Sequence, residues 1–217
     1  MTANIQPRDV TLKEVFILEE IQRIKALLAE DRPVEWDALP DIDLYMDQVV
    51  SYLPRQSVGG KAPSMTSAMI NNYVKDELLP RACGKRYHKE HLIYLTAIGL
   101  LKNVLTVKDM KLLLDQEISE GQEQAFYEKL LKGIDEAYTR TNEAVDETLS
   151  EEDLTVAAMK LALTSCAAKA ACEELLSVIR DRHPEEDPKV KKEREKEAAK
   201  RAKAEKKAAE EAEKAEK

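Results

Sequence analysis

Apolar residues along this chain recur mostly at three- and four-residue steps, the spacing of one face of an α-helix. Leu12, Val15, Phe16, Leu18, Ile21, Ile24, Leu27 and Leu28 predict an amphipathic helix over 12–28, with Thr11 and Glu14 as a capping box at its start. Pro33 to Pro40 form a connector that holds the sole tryptophan, Trp36. Leu44, Met46, Val49, Val50 and Leu53 predict a second helix capped by Asp41 or Asp43. Residues 54–64 (PRQSVGGKAPS) read as loop, being rich in Pro, Gly and small polar residues. A short helix follows from Thr66, with Ile70, Tyr73 and Val74 facing inward and Ser67, Asn71, Asn72 and Lys75 on or near the opposite side. It breaks at Leu79-Pro80, and a cationic turn runs to Gly84-Lys85-Arg86-Tyr87. From Glu90, the positions Leu92, Leu95, Ile98, Gly99, Leu101 and Leu105 predict a packing helix; Thr106 and Asp109 cap a last short one at 110–114.

Two longer helical patterns come next, over 118–149 and 152–180. The first carries a stripe of Phe126, Leu130, Leu131, Ile134 and Tyr138, and the second is rich in alanine between Leu154, Met159, Leu161, Leu163, Leu175, Leu176 and Ile179. Ser150-Glu151-Glu152-Asp153 separates them, its acids complementing the dipole of the second helix. Alanine-rich faces permit close packing, either as an intramolecular helical hairpin or between two copies of the chain. From Lys189 the sequence is Lys, Glu and Ala with no large apolar residue after Val190, a composition that buries no core.

Composition agrees with this helical pattern. Apolar residues make up 43% and aromatics 5%, and six glycines leave little room for an extensive sheet, so the expected fold is mainly all-α. The organisation follows as an N-terminal amphipathic helix (1–35), a head (36–116), a C-terminal helical region (117–183) and a charged tail (184–217).

Net charge is −8, which argues against a generally basic nucleic-acid binder, but its distribution is uneven. Residues 61–111 hold nine basic against four acidic side chains, whereas residues 1–60 carry −5 and residues 112–184 carry −9. The one strongly basic segment is the head's helix and turn. Such asymmetry focuses contact with a polyanion on one face.

The order helix, cationic loop, packing helix is what a winged helix-turn-helix requires. Leu78-Leu79-Pro80 and Tyr87-His88-Lys89-Glu90-His91-Leu92 also resemble the DNA-binding head of mercury-resistance-type (MerR) regulators, where Gly-Leu-Leu-Pro precedes a basic wing and a Tyr-led helix start. LPDIDLYMDQVVSYL followed by MINNYVKDELLP resembles, in addition, a bacterial domain-of-unknown-function family with a MerR-like head, over about Trp36–Leu114. The loop at 54–64 departs from the tight turn that joins the first two helices of those heads. The resemblance implies a DNA-binding transcription regulator and names no target or ligand.

Thr66, Ser67, Asn71, Asn72 and Lys75 are the expected base- and phosphate-contacting positions of the recognition helix. Asparagine meets adenine with two hydrogen bonds in the major groove, worth about 1–3 kcal/mol of discrimination. Arg81, Lys85, Arg86 and Lys89 supply phosphate contacts in the wing, and Tyr87 either packs under the wing with its hydroxyl reaching the DNA backbone or is purely a packing residue. The expected partners are duplex DNA and a second copy of the chain, since paired half-sites multiply affinity. The competing reading is a protein-interaction module in which the basic patch meets an acidic partner.

Other chemistry finds little support. His88 and His91 have no third metal ligand beside them. Cys166 and Cys172 lie about 240° apart around a helix and share no face. No phosphate-binding glycine loop or nucleophile motif occurs, so neither an enzyme nor a cofactor is expected. The first thirty residues show no signal-peptide pattern, and no segment is expected to reach the roughly 20 apolar residues needed to span a membrane. Three cysteines in a chain of this size are expected to stay reduced, in the cytoplasm.

Overall fold

A computed structural model of the chain describes residues 12–62, 64–119 and 121–183. Seven α-helices occur among them: α1 (Leu12–Glu30), α2 (Met46–Tyr52), α3 (Ser67–Lys75), α4 (Lys89–Leu101), α5 (Val107–Glu117), α6 (Glu123–Ala144) and α7 (Leu154–Arg182). Among the described residues β-structure is limited to three isolated antiparallel bridges, so the all-α expectation holds. Two compact units divide within α7, between Cys172 and Glu173.

The core of the first unit is built on α4. His91, Leu92, Ile93 and Leu95 through Gly99 are all buried, so this helix is enclosed on nearly every face rather than on one stripe. Thr96 is tolerated there because its hydroxyl donates to the Leu92 carbonyl at 2.8 Å. α5 and α6 pack against α4, as does the short 3-10 turn Leu53–Gln56. α5 starts where Thr106 accepts from the Asp109 N–H at 3.2 Å and donates to its carboxylate at 2.7 Å.

α1 lies along α6, burying Ile21. α6 begins at Glu123, not Ile118, and buries Phe126, Tyr127, Leu131 and Ile134. Tyr127 lies outside the stripe read from sequence, yet it is wholly enclosed. The Thr11/Glu14 capping box and the tail from 184 lie outside the described residues and side chains.

Two connectors acquire more order than their composition suggested. The second helix starts at Met46, with neither Asp41 nor Asp43 as its cap. Leu44 is instead paired antiparallel with Tyr87, which holds residue 44 extended, and the Gln48 side chain accepts the Tyr45 N–H at 2.9 Å. The 54–64 loop makes a two-residue turn at Gly59-Gly60, both at positive φ (58° and 75°). The Asp31 carboxylate at the end of α1 accepts from Ser57 Oγ at 2.6 Å and from the Gly60 N–H, fixing this loop to the first helix.

In the first part of α7, Val156, Met159 and Leu163 are 46%, 55% and 62% exposed. By length and composition α7 is long and apolar enough to cross a membrane, contrary to the expectation that no segment reaches that length. Lys160 and Lys169 are the only charged residues among its first eighteen, and the alanines and hydroxyl residues between the larger apolar side chains concealed the helix's total apolar length.

Candidate nucleic-acid interface

Three local devices shape the head. The first starts α3: Thr66 stands just before the helix, and its hydroxyl accepts the Met69 N–H at 3.2 Å. Thr66 is therefore the cap, and Ser67 is the first helical residue. Ile70 and Tyr73 are buried, Val74 is half-buried, and Ser67, Asn71, Asn72 and Lys75 are exposed. The inward and outward faces thus fall where the three- and four-residue spacing placed them.

The second device ends α3. The Leu78 N–H donates to the Tyr73 carbonyl at 2.9 Å and the Glu77 N–H to that of Val74 at 3.3 Å, the paired bonds of a Schellman motif. Tyr73 and Leu78, the positions at which this motif places its apolar contact, are both buried. The position between them must be left-handed, and Glu77 occupies it at φ 56°. Glycine normally stands there, as in the Gly-Leu-Leu-Pro pattern.

The third device is the wing. Cys83 and Arg86 exchange two backbone hydrogen bonds, 3.1 and 3.0 Å, around Gly84 (φ 57°) and Lys85 (φ 67°). Positive φ at both central residues is the mark of a type I′ hairpin turn. Tyr87 then bridges to Leu44 through bonds of 2.8 and 2.9 Å, which seats the wing beside the segment leading into α2. α2 packs on α3, so helix, helix and wing form one contiguous body.

On this body the expected contact residues divide into two groups. Lys75, Arg81, Lys85 and Arg86 are exposed, and none forms an ion pair with another described residue. Arg86 stacks over the Tyr45 ring, 5.5 Å from its centroid, which orders the guanidinium without neutralising it. Asn71 and Asn72 keep their side-chain amides free of hydrogen bonds to described residues.

Tyr87 and Lys89 behave differently. Tyr87 is 5% exposed and sits edge-on to His91, with ring centroids 5.4 Å apart. Its ring is packed into the fold, as both readings require, and burial raises its phenol pKa. Lys89 points to the connector: its ammonium lies 2.8 Å from the Asp41 carboxylate and 4.4 Å from the centre of the Trp36 ring. That cation serves to hold the 36–41 segment against the start of α4.

Two histidines that the sequence offered only as an incomplete metal pair complete the site's support. His88 Nδ1 pairs with the Asp43 carboxylate. The His88 N–H donates to His91 Nδ1 at 3.0 Å, and His91 Nε2 faces the Arg81 carbonyl at 3.4 Å. The available signal was spacing, because His91 occupies the N3 position where Glu or Gln usually closes a capping box. Among the described residues no cluster of three or more His, Cys, Asp or Glu could hold a metal ion, and all three cysteines are free.

A family model described as a domain of unknown function (DUF1836) matches residues 34–140. The matched segment runs past Leu114 through α5 and most of α6, so it takes in the helix that packs on α4 as well as the head. No curated protein and no solved structure matches the chain.

Proposed function

We propose that this chain is a bacterial DNA-binding transcription regulator of the cytoplasm, reading duplex DNA with α3 and holding the phosphates with the wing. The observation that carries the reading is the set of Lys75, Arg81, Lys85 and Arg86: four exposed cations without ion pairs to described residues, on one helix end and one hairpin. Elsewhere in the head, Lys89 and Lys111 are drawn into ion pairs, while Arg55, Lys61 and Lys108 are exposed on segments outside α3 and the wing. Cations left available in a chain of net charge −8 suit a polyanion. Asn71 and Asn72 add exposed amides able to read base edges.

A MerR-like winged helix-turn-helix is the form this reading gives the head. The order α2, α3, I′ hairpin, α4 and the Leu44–Tyr87 bridge support it. The chain works as a homodimer in this reading, and the uncovered apolar residues Val156, Met159 and Leu163 of α7 offer a surface for the second copy. The same helix favours the second reading, a protein-interaction module, if α7 takes a different partner. Neither reading requires catalysis, a cofactor or a metal.

Fluorescence anisotropy of a labelled duplex across a salt series tests the function. Each phosphate contact contributes a slope of about −0.9 in log K against log salt, so Arg81→Ala/Lys85→Ala/Arg86→Ala should lower the slope by about 2.7 per head. Binding with an unchanged slope in that variant would place the contact surface elsewhere and remove the main support for the reading.

A further inference from the structure

The wing is attached at both ends to one enclosed imidazole. His91 is 0% exposed. Its Nδ1 accepts the N–H of His88, one residue beyond the wing, and its Nε2 faces the carbonyl of Arg81, where the wing begins. Tyr87, whose backbone bridges to Leu44, lays its ring edge against the same imidazole. An acceptor at Nδ1 requires a neutral ring with its proton on Nε2, directed at Arg81.

The geometry points to His91 as a positioning residue that seats the wing only while neutral, so that acidification loosens the wing and weakens DNA binding. The DNA half of this inference rests on the function proposed above; the seat itself does not. Protonation would place an Nδ1–H against the His88 N–H, two donors face to face in an enclosed site. Around the ring, the Arg81 carbonyl and Glu90, 3.7 Å from Nδ1, favour the cation, whereas the His88 imidazole opposes it; Asp43 is engaged with His88. Burial is the largest influence and pushes the His91 pKa below the ordinary histidine value.

The sign of the effect is diagnostic. Acidification protonates carboxylates on a chain of net charge −8, and that alone strengthens attraction to a polyanion. A seat that fails on protonation predicts the opposite trend.

The experiment follows the full-length, 15N-labelled chain without DNA from about pH 8 to about pH 5, monitoring the His91 ring and the amides of Cys83, Arg86, Tyr87 and His88. In parallel, a mixed-sequence duplex of about 30 base pairs is titrated at about 50 mM salt. In the wild type, amide protection corrected for intrinsic exchange should fall about fivefold or more, the equilibrium cost of one hydrogen bond, with the midpoint of the His91 ring. DNA affinity should fall with the same midpoint. His91→Gln can still accept from His88 and donate to Arg81, so both readouts should stay level with pH. Titration of His91 with no response from the wing amides would overturn the seat. So would equal losses in His91→Gln, or a His91 that stays neutral throughout while affinity is constant. The wild-type titration decides the matter alone if His91→Gln fails to fold. Wing amides that respond as expected in a chain that binds DNA at no pH would uphold the seat and refute the DNA-binding function.

Discussion

Replacing Tyr127 with phenylalanine removes one oxygen from a contact enclosed between α6 and the segments at Val34 and Gln56. The Tyr127 O–H donates to the Val34 carbonyl at 2.7 Å, with Gln56 Oε1 a longer second acceptor at 3.3 Å. Gln56 is itself 0% exposed and passes the chain on, its Nε2 donating to the Tyr52 hydroxyl at 2.9 Å. Burial holds the Tyr127 phenol far above its ordinary pKa, so it remains a donor at any pH at which the chain is folded. Phenylalanine keeps the ring, its volume and its tilted contact with Trp36, 6.4 Å away between centroids. What changes is that two acceptors lose their donor in a place water reaches poorly. An unsatisfied buried group costs about 1–3 kcal/mol, and because Val34 is only partly buried the middle of that range, about 2 kcal/mol, is expected. For a chain of this length that lowers Tm by about 4–8 °C. Urea unfolding followed by the fluorescence of Trp36, the only tryptophan, should show a lower midpoint with an unchanged slope. A loss below about 0.5 kcal/mol would mean that water replaces the hydroxyl, and the view of this network as sealed would be wrong.

Three further substitutions have definite signs. Glu77→Gly relieves a left-handed residue at a cost of its distant Lys111 ion pair (4.0 Å), so a net gain of about 0.5–1 kcal/mol is expected in thermal unfolding; a loss would show that Glu77 is held there by more than the Schellman turn. Lys85→Gly should stabilise the wing by a similar amount, about 0.5–1 kcal/mol, while weakening DNA binding and lowering the salt slope by about 0.9; parallel changes in stability and affinity would contradict the division between turn geometry and charge. For His91, burial depresses the folded pKa below the unfolded value of 6.5. Its stabilising contribution is therefore full above about pH 6.5 and is lost as pH falls through the folded value. The stability of wild type relative to His91→Gln should drop over that window in urea titrations, and a flat difference would remove the pH linkage.

Where local periodicity set the structure, the sequence was readable. α3 was legible to within a residue because Thr66, Ile70, Tyr73 and Lys75 are a cap, two buried positions and an exposed end at helical spacing. α4 was legible as a helix but not as a centre, since burial on all faces depends on α5, α6 and Leu53–Gln56 arriving from distant parts of the chain. The start of α2 was misplaced because Asp41 and Asp43 have good capping chemistry but are taken by Lys89 and His88, 48 and 45 residues away. Tyr87 and Lys89 had the composition of contact residues; only the fold shows one buried and the other committed to Asp41 and Trp36. Tyr127 and Gln56 were invisible as a pair, separated by 71 residues and joined by a single long contact.

Sequence-specific DNA binding is most directly tested by selection from a random duplex library at about 150 mM salt, where loose electrostatic binding is suppressed. The expected result is an enriched motif of two half-sites about 10 base pairs or a multiple of that apart, lost in the Asn71→Ala/Asn72→Ala/Arg86→Ala variant. No enrichment from well-folded wild-type protein, or an enriched motif that this variant binds equally well, would contradict recognition by α3 and the wing.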